Sequence, residues 1–130
     1  MSPTTSIRES AMARTVVALD FETSGYRADC ACALGMVRIQ GGRIENSLYR
    51  LIRPPSPRVL FTDIHGLNWQ TLKTQPGFSE LWPEISAFLH GADFLVAHNA
   101  SFDRRILYSC CHACGVSAPS MPFLCTLRGS

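Results

Sequence analysis

The sequence predicts an α/β domain built on a mixed sheet with an antiparallel hairpin at one side and flanking helices. Three observations predict it. Thr15 to Phe21 is an apolar, β-branched run that stops at Glu22 and Ser24-Gly25, as a buried central strand does. Two further strand-like segments, Leu34–Gln40 and Arg43–Arg53, flank Gly41-Gly42, a turn that suits a hairpin. Beyond them, two segments of helical periodicity alternate with a short apolar stretch, Asp93–Ala97.

Pro54-Pro55-Ser56-Pro57 ends the third strand, because proline cannot continue a ladder. Arg58–Gly77 mixes short apolar pieces with turn residues and reads as a long functional loop holding a helical turn or two. In Phe78–His90, Leu81, Ile85, Phe88 and Leu89 share a helical face, with Ser79 as the expected cap and Gly91 past the end. Ser101–Cys114 is the second predicted helix, stopped by Gly115, and Met121–Leu127 opens a last strand. Residues 1–14 hold Arg8 and Arg14 but no continuous apolar stretch, so they read as a flexible leader and not as a secretory signal. No segment approaches a membrane span, and the expected location is the cytoplasm.

At 130 residues the chain is sized for one domain, and its 46% hydrophobic content is enough to fold one. A net charge of +2 neither argues for nucleic acid as a partner nor excludes it. The six cysteines point away from a disulfide framework, since no export signal accompanies them. Cys111-His-Ala-Cys114 has the spacing of zinc ligands, but on a helix Cys110 and Cys114 fall on the face of Ile106 and Leu107, where thiols serve as small core residues.

Chemistry enters at "VVALDFETSG", residues 16–25. Residues i and i+2 of a strand share a face, so Asp20 and Glu22 emerge side by side. Either they reach solvent at a strand end, or they ligate a hard divalent cation such as Mg²⁺ or Mn²⁺. The stretch "FLVAHNASFD" repeats the design: an apolar strand, then His98 and Asn99, then Asp103 in the first turn of a helix. An acid there complements the helix dipole, yet if the two strands are neighbours it also joins the first pair of carboxylates.

"VVALDFETSG" and "FLVAHNASFD" together resemble the first two motifs of the DnaQ-like (DEDD) 3′–5′ exonucleases, among them the proofreading epsilon subunit of bacterial DNA polymerase III. "DIHGL", Asp63 to Leu67, is similar to that family's loop beside the substrate nucleotide. The resemblance covers about Thr15 to Leu127. It implies an RNase H-like fold and a two-metal site with Asp20, Glu22 and Asp103 as ligands. It also implies that Thr23, His65, Asn99 and Phe102 lie near a single-stranded 3′ end, and that a DNA polymerase is a candidate partner.

The family's third motif, a histidine base and a fourth carboxylate five residues on, has no match. No Asp or Glu follows Asp103, and the only later histidine is His112 in the cysteine-rich helix. General-base catalysis is worth roughly 10²–10⁴-fold. The expectation is therefore an exonuclease domain, incomplete at its C-terminus over residues 15–130, and weakly active or inactive as it stands. A non-catalytic nucleic-acid-binding module of the same fold is the alternative. A zinc-binding structural protein is a third reading. The missing helices are further expected to leave one face of the sheet apolar and open to a second copy of the chain.

Overall fold

A computed structural model describes residues 14–125. The expected leader lies outside the described residues, apart from Arg14. In chain order the elements are β1 (Thr15–Thr23), β2 (Ala31–Gln40), β3 (Arg43–Leu51), α1 (Thr62–His65), α2 (Trp69–Leu72), α3 (Phe78–Leu89), β4 (Phe94–Ala97), α4 (Ala100–Cys114) and β5 (Phe123–Cys125). They form one five-stranded sheet in the order β3-β2-β1-β4-β5. The hairpin pairs antiparallel, whereas β1–β4 and β4–β5 are parallel. This is the mixed sheet that the sequence predicts.

β1 is the central strand expected, and burial alternates along it. Val17, Leu19 and Phe21 join Leu34, Met36 and Leu95 in the core against Leu81, Ile85, Leu89, Ile106 and Leu107 of α3 and α4. Val16, Ala18, Asp20 and Glu22 point the other way, and among the described residues no helix covers them. Around Asp20 that face forms an open trough of about 420 Å³ lined by Ala18, Gly35, Val37, Ser47 and Tyr49. It is the uncovered, mostly apolar sheet surface that the sequence suggests.

The helices have local causes. Gly77 precedes α3, and Glu80 Oε1 accepts its N–H at 3.1 Å, so the cap is this pair and not the expected Ser79. Arg38 projects from β2 to donate to the carbonyls of Phe88 and His90 at 2.8 and 2.7 Å, satisfying acceptors that the helix end leaves open. Asn99 caps α4 by accepting the Phe102 N–H at 3.4 Å, and Gly115 closes it with a φ of 71°. The Arg58–Gly77 segment carries two helical turns, as read from its sequence.

Cys110 and Cys111 are core residues beside Ile106 and Leu107, and Cys114 packs on the same cluster half-buried. Burial pushes both thiols up to about 12, so they stay neutral. That is the small-core-residue reading. Among the described residues no helix is long and apolar enough to cross a membrane.

Candidate active site

Two parallel strands bring the motifs to one edge. The β1–β4 register runs Val16↔Phe94, Val17↔Leu95 and Ala18↔Val96, so both strands end on the same side of the sheet. A reciprocal clamp sets this alignment: the Thr15 N–H donates to Asp93 Oδ2, and the Asp93 N–H donates to the Thr15 carbonyl, each at 2.7 Å. The strand pairing stops at Ala18, which leaves the Phe21 N–H without a strand partner on that side. Asp103 takes it: Oδ1 accepts the Phe21 N–H at 2.9 Å.

Asp103 is thus more than a helix-dipole residue. Its side chain is 2% exposed, and it pins the first turn of α4 to the C-terminal end of β1. Its carboxyl is pushed up to about 6: burial raises it most, the Phe21 N–H pulls it down, and the charges of Asp20 and Glu22 raise it. The nearby His98 pulls the other way. Asp20 and Glu22 are therefore close enough to Asp103 for the three carboxyls to feel each other, although Asp20 itself is exposed and Glu22 half-buried.

The donor set is all carboxylate oxygen, which suits Mg²⁺ or Mn²⁺, and its mutual repulsion is what a divalent cation relieves. Yet among the described residues no three His, Cys, Asp or Glu side chains are drawn close enough to enclose an ion. The chemistry fits a hard cation, and the side chains as they stand do not close around one. The same observation covers the cysteine cluster.

The other sequence-predicted residues lie around this edge in different roles. Thr23 ends β1 and is buried, while Phe102 is 36% exposed at the first turn of α4. Asn99 is exposed, but its side chain is engaged in the cap. His65 turns inward. Its Nδ1 accepts the Leu67 N–H at 3.0 Å, which assigns the ring proton to Nε2, and Nε2 then donates to the Thr23 carbonyl at 3.1 Å. Cys32 Sγ lies 3.7 Å from the same nitrogen. Its thiol is pushed up to about 12 by burial and by Glu22, and it stays neutral. Nothing in the pattern of residues signals Cys32 or Phe21 as members of this edge. Both enter through backbone pairing.

The sequence profile of the Exonuclease family, RNase_T, matches residues 17–129. The chain belongs to this family. It is 38% identical to DNA polymerase III PolC-type of Thermotoga maritima over 96 residues, which cover 72% of this chain and 7% of that protein. It is 30% identical to exodeoxyribonuclease 10 of Escherichia coli over 115 residues, 85% of this chain and 44% of that one. The chain thus spans less than half the length of these curated relatives. Among solved structures, exonuclease X in complex with 5′ overhanging duplex DNA superposes with a TM-score of 0.68 at 25% identity, covering 87% of this chain and 60% of that one. Exonuclease I superposes with a TM-score of 0.75 at 12% identity, covering 89% and 29%, a likeness of fold. The exonuclease family is a family of nucleases, and the mixed sheet is its RNase H-like fold.

Proposed function

We propose that this domain hydrolyses nucleic acid from the 3′ end and releases nucleoside monophosphates with the help of two divalent metal ions. One observation carries the reading. Asp20 and Glu22 stand on the open face of β1, and Asp103, arriving from 82 residues beyond Phe21, is buried beside them with its carboxyl raised by burial first and by their charge as well. Mutually repelling carboxyls gathered at one sheet edge are the mark of a functional-site candidate. Asp20, Glu22 and Asp103 would hold Mg²⁺ or Mn²⁺, which when bound supplies an activated water and charge neutralisation at the leaving 3′ oxygen.

The chain's own residues divide the remaining work. Phe21 holds Asp103 through its backbone, so the acid cannot swing away with the helix. His65 ties the loop of α1 to Thr23, next to Glu22, and thereby fixes one wall of the nucleotide's approach. Thr23, Asn99 and Phe102 border the same approach. The solved relative bound to a 5′-overhanging duplex supports a substrate with a recessed 3′ end. The PolC-type relatives make a DNA polymerase a reasonable associate, and a cytoplasmic setting goes with that role.

These residues alone are expected to be slow. His65 is committed to Thr23 and Leu67, and no carboxylate follows Asp103 to anchor another histidine as base. The test is degradation of a labelled single strand by the 130-residue chain with Mg²⁺ and with Mn²⁺. Fast Mg²⁺-dependent release of mononucleotides, abolished by Asp20→Ala, would show that these residues need no further base. Strand binding without cleavage under either metal favours the second reading, a nucleic-acid-binding module, which the unclosed carboxylate set supports.

The open trough beside Asp20 also suits self-association at high concentration, with a second copy covering Val37 and Tyr49. A well-behaved monomer in sedimentation at millimolar concentration counts against it.

A further inference from the structure

A second groove starts where the carboxylate edge ends. It runs between the β1–β2 turn and the outer side of α4, has a volume of about 650 Å³, and is lined by Tyr26, Arg27, Arg105, Tyr108, Ser109 and His112 among others. Both of its walls continue directly from the candidate active site. The turn follows Glu22 and Thr23, and Arg104 and Arg105 follow Asp103.

Among the described residues some surface cations are ion-paired and others, Arg43, Arg58 and Lys73 among them, are not; the groove holds one arginine of each kind. On the hairpin and α3, Arg38, Arg50 and Arg53 are each paired with a glutamate, at 3.1, 2.7 and 3.1 Å. Along the groove, Asp29 is the one acid, and it is already occupied by Arg27 in a two-pronged contact at 3.0 and 2.8 Å. Arg105 is exposed and makes no ion pair among the described residues. The Arg104 guanidinium lies 5.0 Å above the ring of Tyr108 instead of on a carboxylate. Arg105 is the groove's one guanidinium without an acid among the described residues, and with Tyr26 and Tyr108 beside it the groove offers a cation and rings that suit a phosphodiester backbone with stackable bases.

We propose that this groove is a nucleic-acid track, with Arg105 contacting the phosphates of the strand upstream of its terminal nucleotide. The occupant is a nucleic-acid strand. The proposal builds on the exonuclease reading for the position of the 3′ end. The electrostatic argument stands on Arg105 and its neighbours alone.

The experiment measures binding of a labelled single-stranded decamer by fluorescence anisotropy across a salt series, in Ca²⁺ to hold back cleavage. Arg105→Glu and the milder Arg105→Ala are compared with the parent chain, with melting temperature as the control for folding. The charge reversal is expected to weaken decamer binding about tenfold, and Arg105→Ala to reduce the salt slope by about one contact. Binding of thymidine monophosphate, which occupies the terminal site alone, is expected to stay the same in both variants. Decamer affinity and slope unchanged in both variants overturn the track, as does a parent chain that binds no decamer at low salt. A decamer bound through Arg105 with no metal-dependent binding of the monophosphate upholds the track and sinks the exonuclease reading alone.

Discussion

The carboxylate of Asp103 accepts its hydrogen bond from the backbone N–H of Phe21 at 2.9 Å, across 82 residues of sequence. The donor is a main-chain group exposed because the β1–β4 pairing ends three residues earlier, so the contact depends on strand register and not on a side chain. The link makes Asp103 a structural residue as well as a candidate ligand, and its burial beside two acids works against the charge that a ligand needs.

The conflict is measurable. Asp103 has a folded value of about 6 against an ordinary 3.8, so the folded state prefers its protonated form. Its contribution to stability is fully present below about pH 4 and is lost as pH rises through 6, a difference of about 3 kcal/mol at 1.36 kcal/mol per unit. Asp103→Asn keeps an acceptor for Phe21 and removes the charge. In metal-free buffer the variant is expected to be about 1–3 kcal/mol more stable than the parent at pH 7.5, with the gap closing towards pH 4. Urea melts of both proteins over that range check it. A gap that does not change with pH removes the argument.

Removing a neighbouring charge has the opposite signature. Asp20→Asn takes away one of the two carboxylates that push Asp103 up, so the Asp103 titration moves to lower pH. Carbon-detected NMR of the Asp103 carboxyl reads the shift directly. An unmoved titration means that the two groups do not share a site. The same variant is expected to lose any Mg²⁺-dependent cleavage.

His65 is expected to matter for stability as much as for substrate. His65→Ala breaks the bonds to Thr23 and Leu67 and should cost about 1–3 kcal/mol in guanidinium unfolding. His65→Asn, whose carbonyl oxygen can take the place of Nδ1, should recover part of that loss. An alanine variant as stable as the parent would show the ring to be a bystander.

The thiols offer a check on the core. Cys32, Cys110 and Cys111 are buried and held neutral, whereas Cys114 and Cys125 are half-buried. Labelling with a thiol reagent at pH 8 should modify the half-buried pair first and the four buried thiols, Cys30 among them, only as fast as the protein unfolds. Stoichiometric zinc in the purified protein, or a melting temperature lowered by chelator, would instead return the cysteine cluster to a metal-binding role.

The elements with strong local chemistry were readable from the chain. Gly41-Gly42 announces the hairpin, the apolar run announces β1, and Gly115 marks the end of α4. β2 begins at Ala31, three residues before its predicted start, because Ala31-Cys32-Ala33 carries little strand preference. Pairing of Ala31 with Thr23 and of Ile52 with Cys32 imposes it. The cap of α3 was misplaced at Ser79 because a glycine with a glutamate three residues on signals less loudly than a serine. In the site, the carboxylates were legible from their spacing. The inward turn of His65 was not, since it depends on a carbonyl and a thiol brought together by tertiary packing. Nor was the anchoring of Asp103, which arises where one ladder stops.

The clamp between Thr15 and Asp93 has a consequence for the order of events during synthesis. The hairpin side of β1 can zip as soon as β2 and β3 leave the ribosome, but its other edge waits for a partner that begins 78 residues downstream. Through that interval the nascent chain shows an unpaired central strand, the arrangement most open to pairing with a neighbouring polypeptide. The docking of β4 therefore shuts off an aggregation route in the same event that delivers Asp103 to Phe21. A chain that has docked β4 has also brought Asp103 to the end of β1.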